Sequence, residues 1–197
     1  MSFTSGTLLH TESLTIAERY ADLDDWDIVR SQVVADNLIR MRTANATKRI
    51  SREVVSRLRL LTPAALELLL TGTRQEQLHI LWLAVCKRYG FIHDFAVEVV
   101  REKFLRLDLA LSYDDYDIFF QDKAEWHPEV AGVADSTRAK QRQVVFKMLR
   151  EAELLTADNR IVPALLTPRT IEVVAADDPA DLAIFPISPA EVQAWLP

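Results

Sequence analysis

The stretch that most constrains the fold is residues 73–104, TRQEQLHILWLAVCKRYGFIHDFAVEVVREKF. Thr73 and Glu76 have the spacing of a capping box, in which the hydroxyl accepts an amide three residues on and the carboxylate reaches back. Leu78, Leu81, Trp82, Val85 and Tyr89 then recur at intervals of three and four, which predicts a helix with a wide apolar stripe. Gly90 is placed to end that helix in a left-handed conformation, and a second helix is expected from Asp94, carrying Phe95, Val97, Val99, Val100 and Phe104. Two apolar helices with so short a link predict a hairpin that the remaining chain must cover. Within 78–86 only His79 breaks the apolar run, and Lys87 and Arg88 follow it. That is far short of the roughly 20 apolar residues a membrane span needs, so no membrane association is expected. Residues 1–9 lack a basic region followed by an apolar run; no secretory signal is expected, and a cytoplasmic location is the default.

A chain of 197 residues buries roughly 70% of its unfolded surface on folding, enough for a substantial core. The single cysteine, Cys86, excludes an internal disulfide framework and suits a reducing compartment. Its place in the apolar stripe predicts a buried thiol rather than a nucleophile. The net charge of −6 conceals strong segregation. Residues 37–61 carry seven basic side chains and one acidic, and 135–150 carry five and one, whereas 1–36, 62–134 and 151–197 are all net acidic. Local potential rather than net charge steers a polyanion, so the two basic segments are the informative ones.

In chain order, residues 1–12 show no period and read as a loose start. Thr15 and Glu18 have capping-box spacing for a short first helix. Asp24 or Asp25 is expected to cap the next, with Trp26, Val29, Val33 and Val34 inward. In the first basic segment, Ile50, Val54, Leu58 and Leu61 share one side of a helical wheel. Lys48, Arg49, Arg52, Ser56 and Arg59 lie opposite, with Arg40 and Arg42 just before them. Such a face fits along a phosphate backbone; equally, its arginines fit pairing with the acidic segments nearby. Thr62 and Pro63 open a further helix that ends at Thr71 and Gly72. Ser112 with Asp115 opens another, with Tyr116, Phe119 and Phe120 as core, stopped by Pro128 at Trp126–His127.

The second basic segment predicts a helix capped by Ser136 or Thr137, with Val144, Val145, Met148, Leu149 and Ala152 on one side. Lys140, Gln143, Lys147 and Arg150 lie opposite, and Arg138 and Arg142 sit in its first turns. A polar turn at Ala157, Asp158 and Asn159 then separates two short apolar runs. A basic helix followed at once by a small β-hairpin is the pattern of a winged helix, although the same arrangement also serves packing alone. Pro168 restarts a short helix, and 175–187 reads as a strap with an acidic front and an apolar end. Ser188, Pro189 and Glu191 are expected to open a last turn, with Trp195 and Leu196 docking on the body. The expected division is a loose start at 1–12, a helical bundle over 13–134, a basic helix and hairpin packed on it over 135–174, and the strap at 175–197. The class is mainly α.

Catalytic signatures are missing. The four glycines are scattered, which excludes phosphate-binding and dinucleotide loops as well as a nucleophile elbow. His10, His79, His93 and His127 fall in separate segments, and without a second cysteine there is no zinc signature. No lysine has an acid two residues before it, as the common metal-dependent nucleases require. No catalytic residue, cofactor or metal is expected; the pattern favours binding over catalysis.

The segments SLTIAERYADLDDWDIVRSQVVADNL, EQLHILWLAVCKRYGFIHDFAVEVVREKF and YDDYDIFFQDKAEWHPEVAGVADSTRAKQRQVVFKMLREAELL resemble the BrxA family, a small component of bacterial BREX phage-defence systems. The likeness runs from about Ser13 to about Thr170, and AERY, DFAVEVVREKF and KAEWHPE carry it together. The resemblance implies a mainly helical, NusB-like fold and a non-enzymatic role. It also implies double-stranded DNA binding beside other BREX components, which include a methyltransferase, an ATPase and a phosphatase-like protein. The DNA contacts come from the charge pattern instead: Arg40, Arg42, Lys48, Arg49, Arg52 and Arg59 in the first segment, and Arg138, Lys140, Arg142, Lys147 and Arg150 in the second. A protein–protein adaptor and an RNA-binding NusB-like protein remain the alternative readings.

Overall fold

In the computed structural model, residues 7–188 and 190 are described. Helix α1 (His10–Leu23) starts earlier than its sequence suggests. Leu8 and Leu9 are buried in the core, and Leu9 turns into the helix at φ 57°. Burial of these two side chains fixes the chain before the helix, so residues 8–12 are not a loose start. Thr15 lies inside α1 with its hydroxyl on the Thr11 carbonyl rather than capping a new helix. Helix α2 (Trp26–Ala35) is capped by Asp25, which accepts the amides of Asp27 and Ile28. Val29 and Val33 point inward, and Trp26 stacks on Tyr20 with ring centres 3.8 Å apart.

Thr43 caps α3 (Ala44–Leu58), and Ile50, Val54, Leu58 and the following Leu61 are buried, as the wheel predicts. Thr62 and Pro63 open α4 (Pro63–Thr71). It stops at Gly72, where a Cβ would stand 2.5 Å from the Leu68 carbonyl oxygen. Helix α5 (Arg74–Arg88) begins with the expected capping box, Glu76 accepting the Thr73 amide at 2.8 Å. Every residue from 78 to 86 is buried, so α5 is surrounded rather than striped. It contacts α1, α3 and α4 on the N-terminal side of the chain. Trp82, fully buried, donates its indole N–H to the Ile184 carbonyl at 3.2 Å.

The α5 terminus differs from the expected one. Tyr89, extended at φ −128° and ψ 90°, makes the turn itself, and Gly90 opens α6 (Gly90–Phe95). The burial of the Tyr89 ring and its hydroxyl bond to Glu53 (2.5 Å) hold that turn without a left-handed glycine. The helix then widens into a π-helical segment, Ala96–Arg101, and finishes as α7 (Glu102–Leu105). Ser112 and Asp115 form the capping box of α8 (Tyr113–Trp126), and Pro128 opens the short α9 (Pro128–Ala131). Tyr116, Phe119 and Phe120 are buried, their rings packed edge-on against Phe91.

Helix α10 (Asp135–Glu151) follows Ala134, which provides no side-chain cap; Ser136 and Thr137 lie within the first turn instead of preceding it. Val144, Val145, Met148, Leu149 and Ala152 are buried as expected. Beyond α10 the turn at 156–159 forms, with Asn159 at φ 62°. Among the described residues the expected hairpin is reduced to two isolated antiparallel bridges, Leu155 with Ile161 and Ala110 with Arg160. Ala152 still belongs to the end of α10, and Pro163 has no amide to extend the ladder, so among the described residues the pairing does not grow into a strand. Helix α11 (Pro168–Asp177) is capped by Thr167 and runs into a 3-10 turn, Pro179–Ile184. Leu182, Ile184, Phe185 and Ile187 form the apolar end of the strap, and Lys87 clamps its acidic front through Asp177 (2.8 Å) and Asp181 (2.7 Å). The last turn expected from Ser188 through Glu191, with Trp195 and Leu196, lies outside the described residues apart from Ser188 and Ala190. Among the described residues no helix is long and apolar enough to cross a membrane.

His79 and Cys86 are both core residues. Burial pushes the Cys86 thiol well above its ordinary range. It also pushes the His79 imidazole down to about 4, only partly offset by Glu76. A histidine held neutral in the folded state favours unfolding once the unfolded chain takes up its proton. Its contribution to stability is therefore complete above pH 6.5 and is lost progressively between 6.5 and 4. Denaturant titrations are expected to show about 1–2 kcal/mol less stability at pH 5 than at pH 7. His79→Phe should remove most of that difference.

Candidate nucleic-acid interface

The basic residues of the first segment emerge on one surface. Along α3, Lys48, Arg49 and Arg52 are exposed, and Arg59 follows at its C-terminus, also exposed. Positions 48, 52, 56 and 59 fall three and four residues apart, so they form one stripe. Arg40 and Arg42, just before the helix N-terminus, are exposed as well. They are placed by Asn37, whose side chain bonds both the amide and the carbonyl of Met41 at 3.0 Å and accepts the Thr47 hydroxyl at 2.9 Å. Arg40 itself is left-handed at φ 50°, a conformation this clamp holds. Among the described residues none of Arg40, Arg42, Lys48, Arg49, Arg52 and Arg59 has a carboxylate within salt-bridge distance. The pairing with acidic segments that the sequence allowed does not occur for these six.

One arginine of the segment behaves differently. Arg57 is 3% exposed and gives its Nε to Glu53 at 2.8 Å and an Nη to the Thr7 carbonyl at 2.8 Å. Glu53, the one acid of the segment, also accepts the Tyr89 hydroxyl. Burial and this carboxylate together push the Tyr89 phenol up to about 12. Glu53 thus faces the protein, and the stripe on the outer face keeps its full positive charge.

The second basic segment divides. Arg142 bonds Asp117 and lies 4.6 Å over the Tyr113 ring; Arg138 reaches the same carboxylate at 3.6 Å and Phe120 at 5.6 Å. Arg150 donates to Asn159 at 2.6 Å, which ties the end of α10 to the following turn. These three hold α10 against its neighbours and are half-buried. Lys140 and Lys147 remain exposed, Lys147 with only a loose contact to Glu151 at 3.8 Å.

The two segments meet across a groove of about 380 Å³, with Ile50 of α3 on one wall and Lys140, Gln143, Val144 and Lys147 of α10 on the other. Thr7 and Leu9 line it too. This short N-terminal stretch bridges the helices, because the Thr7 carbonyl accepts Arg57 while the Leu8 amide donates to Glu151 at 2.7 Å. Arg88 was not among the sequence-based candidates. It is exposed, and its Nε lies 3.3 Å from the Ser56 hydroxyl on the α3 stripe. Nothing in sequence signals this, since Arg88 ends a core helix and only the fold brings it beside α3.

The site is an exposed cationic stripe on a mainly helical fold, without carboxylate partners among the described residues. The BrxA family model matches residues 1–178, and the chain belongs to the BrxA family. It is 27% identical over 171 residues to the BREX protein BrxA of Escherichia coli O9:H4 (strain HS), covering 86% of this chain and 80% of that protein. It is 28% identical over 127 residues to the BREX protein BrxA of Bacillus cereus (strain H3081.97), covering 64% of each. The fold matches the crystal structure of an uncharacterized protein from Magnetospirillum magneticum with a TM-score of 0.80, over 92% of this chain and 94% of that one, at 20% identity.

The different environments separate stability from binding. Asp117→Asn leaves two half-buried guanidinium groups without their counter-charge and is expected to lower unfolding free energy by about 1–3 kcal/mol. Arg52→Gln, on the exposed stripe, should change it by less than about 0.5 kcal/mol. Denaturant midpoints of the two variants check this.

Proposed function

We propose that the chain is a non-enzymatic component of a BREX phage-defence system that binds double-stranded DNA through the α3 stripe. The observation that carries this reading is the set of six exposed cations, Arg40, Arg42, Lys48, Arg49, Arg52 and Arg59, without a carboxylate partner among the described residues. Uncompensated charge on a rigid helix is what a phosphate backbone selects, and its contacts position DNA without reading sequence. Lys140 and Lys147 on the far wall of the groove supplement the stripe. In this reading Arg138, Arg142 and Arg150, counted as DNA contacts on sequence grounds, act structurally.

The finer fold reading goes with it. The bundle is taken as NusB-like, and α10 with the 156–159 turn as a winged-helix-like unit whose wing is only a turn. The protein acts in the cytoplasm beside other BREX components, among them a methyltransferase, an ATPase and a phosphatase-like protein. Membership of the BrxA family and the names of its two curated relatives support this placement.

Fluorescence anisotropy with a labelled duplex of about 30 base pairs tests it. Binding is expected to fall steeply with salt, with a slope in log K against log salt no steeper than about −7 if all eight exposed cations engage. An unrelated duplex should compete equally and an RNA of the same length less well. Absence of binding at low salt would overturn the reading. Arg49→Glu with Arg52→Glu should weaken binding at least tenfold while co-purification with other BREX components persists.

A further inference from the structure

The outer face of α8 combines exposed apolar side chains with carboxylates that lack cation partners among the described residues. Asp114, Ile118, Asp122 and Glu125 follow one another at intervals of four, four and three, so they form a stripe along the helix. Ile118 is 59% exposed, and Trp126, at the end of the same helix, is 82% exposed. Large apolar side chains left in water on one face mark interaction sites, and tryptophan is prominent among residues that dominate binding energy. Asp114, Asp122 and Glu125 are exposed and, among the described residues, lack a cation within salt-bridge distance. That contrasts with Asp115, which Lys103 holds, and with Asp117, which the α10 arginines hold.

Beside this stripe runs a groove of about 260 Å³ between α8 and the π-helical segment with α7. Val99 and Phe119 contribute apolar lining; Lys103 and Arg106 also line the groove but are taken up by Asp108, Asp115 and Glu102, so the unpaired charge at its edge is that of Asp122. π-helical segments cost stability and occur often at functional sites. Here the segment supplies Glu98 and Val99 to the groove wall.

We propose that the α8 face and its groove form a docking surface for a basic amphipathic helix of a partner protein. The apolar stripe of such a helix would cover Ile118 and Trp126, and its lysines and arginines would pair with Asp114, Asp122 and Glu125. Charge complementarity selects this occupant: the unpaired carboxylates repel DNA as surely as the α3 stripe attracts it, and they leave a second copy's acidic α8 face unfavoured. Helix-in-groove recognition of this kind needs an apolar anchor and flanking charge, both present here. The surface is independent of the DNA reading, since it shares no residue with the α3 stripe.

The test uses the full chain and a fluorescein-labelled 18-residue helical peptide of leucine and lysine arranged as an amphipathic helix. Micromolar binding is expected, with a blue shift of tryptophan emission that Trp126→Phe abolishes. Asp122→Lys with Glu125→Lys should weaken binding at least tenfold, and Ile118→Ser with Trp126→Ser about tenfold. The control Asp24→Lys with Asp27→Lys makes the same net charge change on the α1–α2 corner and should alter affinity less than twofold. No binding, or equal loss in the control, would overturn the proposal. So would sedimentation showing that the wild-type chain dimerises and Ile118→Ser with Trp126→Ser is monomeric, because a second copy would then be the occupant. Circular dichroism of each variant verifies that the fold survives.

Discussion

The burial of α5 on all sides is the constraint from which the rest follows. A helix whose residues 78–86 are all inaccessible to water must be enclosed, and α1, α3, α4, α6, α10, α11 and the 3-10 turn enclose it. Each buried large apolar side chain contributes roughly 1.5–3 kcal/mol. No rearrangement of the outer helices that exposes this segment is affordable. Helix α3 is therefore held against one side of the core with its polar stripe outward, and α10 takes another side.

From this packing comes the difference between the two basic segments, which look alike in sequence. On α3 the only acid, Glu53, is taken up by Arg57 and Tyr89 on the inner side, and among the described residues no carboxylate reaches the outer cations. On α10 the first turns lie beside α8, where Asp117 meets Arg138 and Arg142. The same residue type is a surface charge in one place and an internal tie in the other. The Thr7 to Leu8 bridge between Arg57 and Glu151 then sets the spacing across the groove.

Much of the architecture was legible because it rests on local chemistry. The capping boxes at Thr73 and Ser112, the caps at Asp25 and Thr62 and the inward faces of α3, α8 and α10 follow from spacing alone. What was not legible depends on distant partners. The early start of α1 follows from core burial of Leu8 and Leu9. Tyr89 replaces Gly90 as the turning residue because Glu53 holds its hydroxyl. The pairing of Asp117 with two arginines more than 20 positions away carries no sequence signal, nor does the arrival of Arg88 beside Ser56. Of the candidate interface, the exposed α3 face was readable from periodicity, whereas the division of α10 into half-buried structural cations and exposed ones was not.

Under the proposed function, the fold rather than the count of basic residues selects which cations reach DNA. The most direct measurement compares salt slopes of duplex binding for two double variants, each of which removes two positive charges. Arg49→Gln with Arg52→Gln should reduce the magnitude of the slope by about 2. Arg138→Gln with Arg142→Gln should leave it unchanged at temperatures where that variant is folded. Equal reductions in both pairs, or a reduction only in the second, would contradict the account.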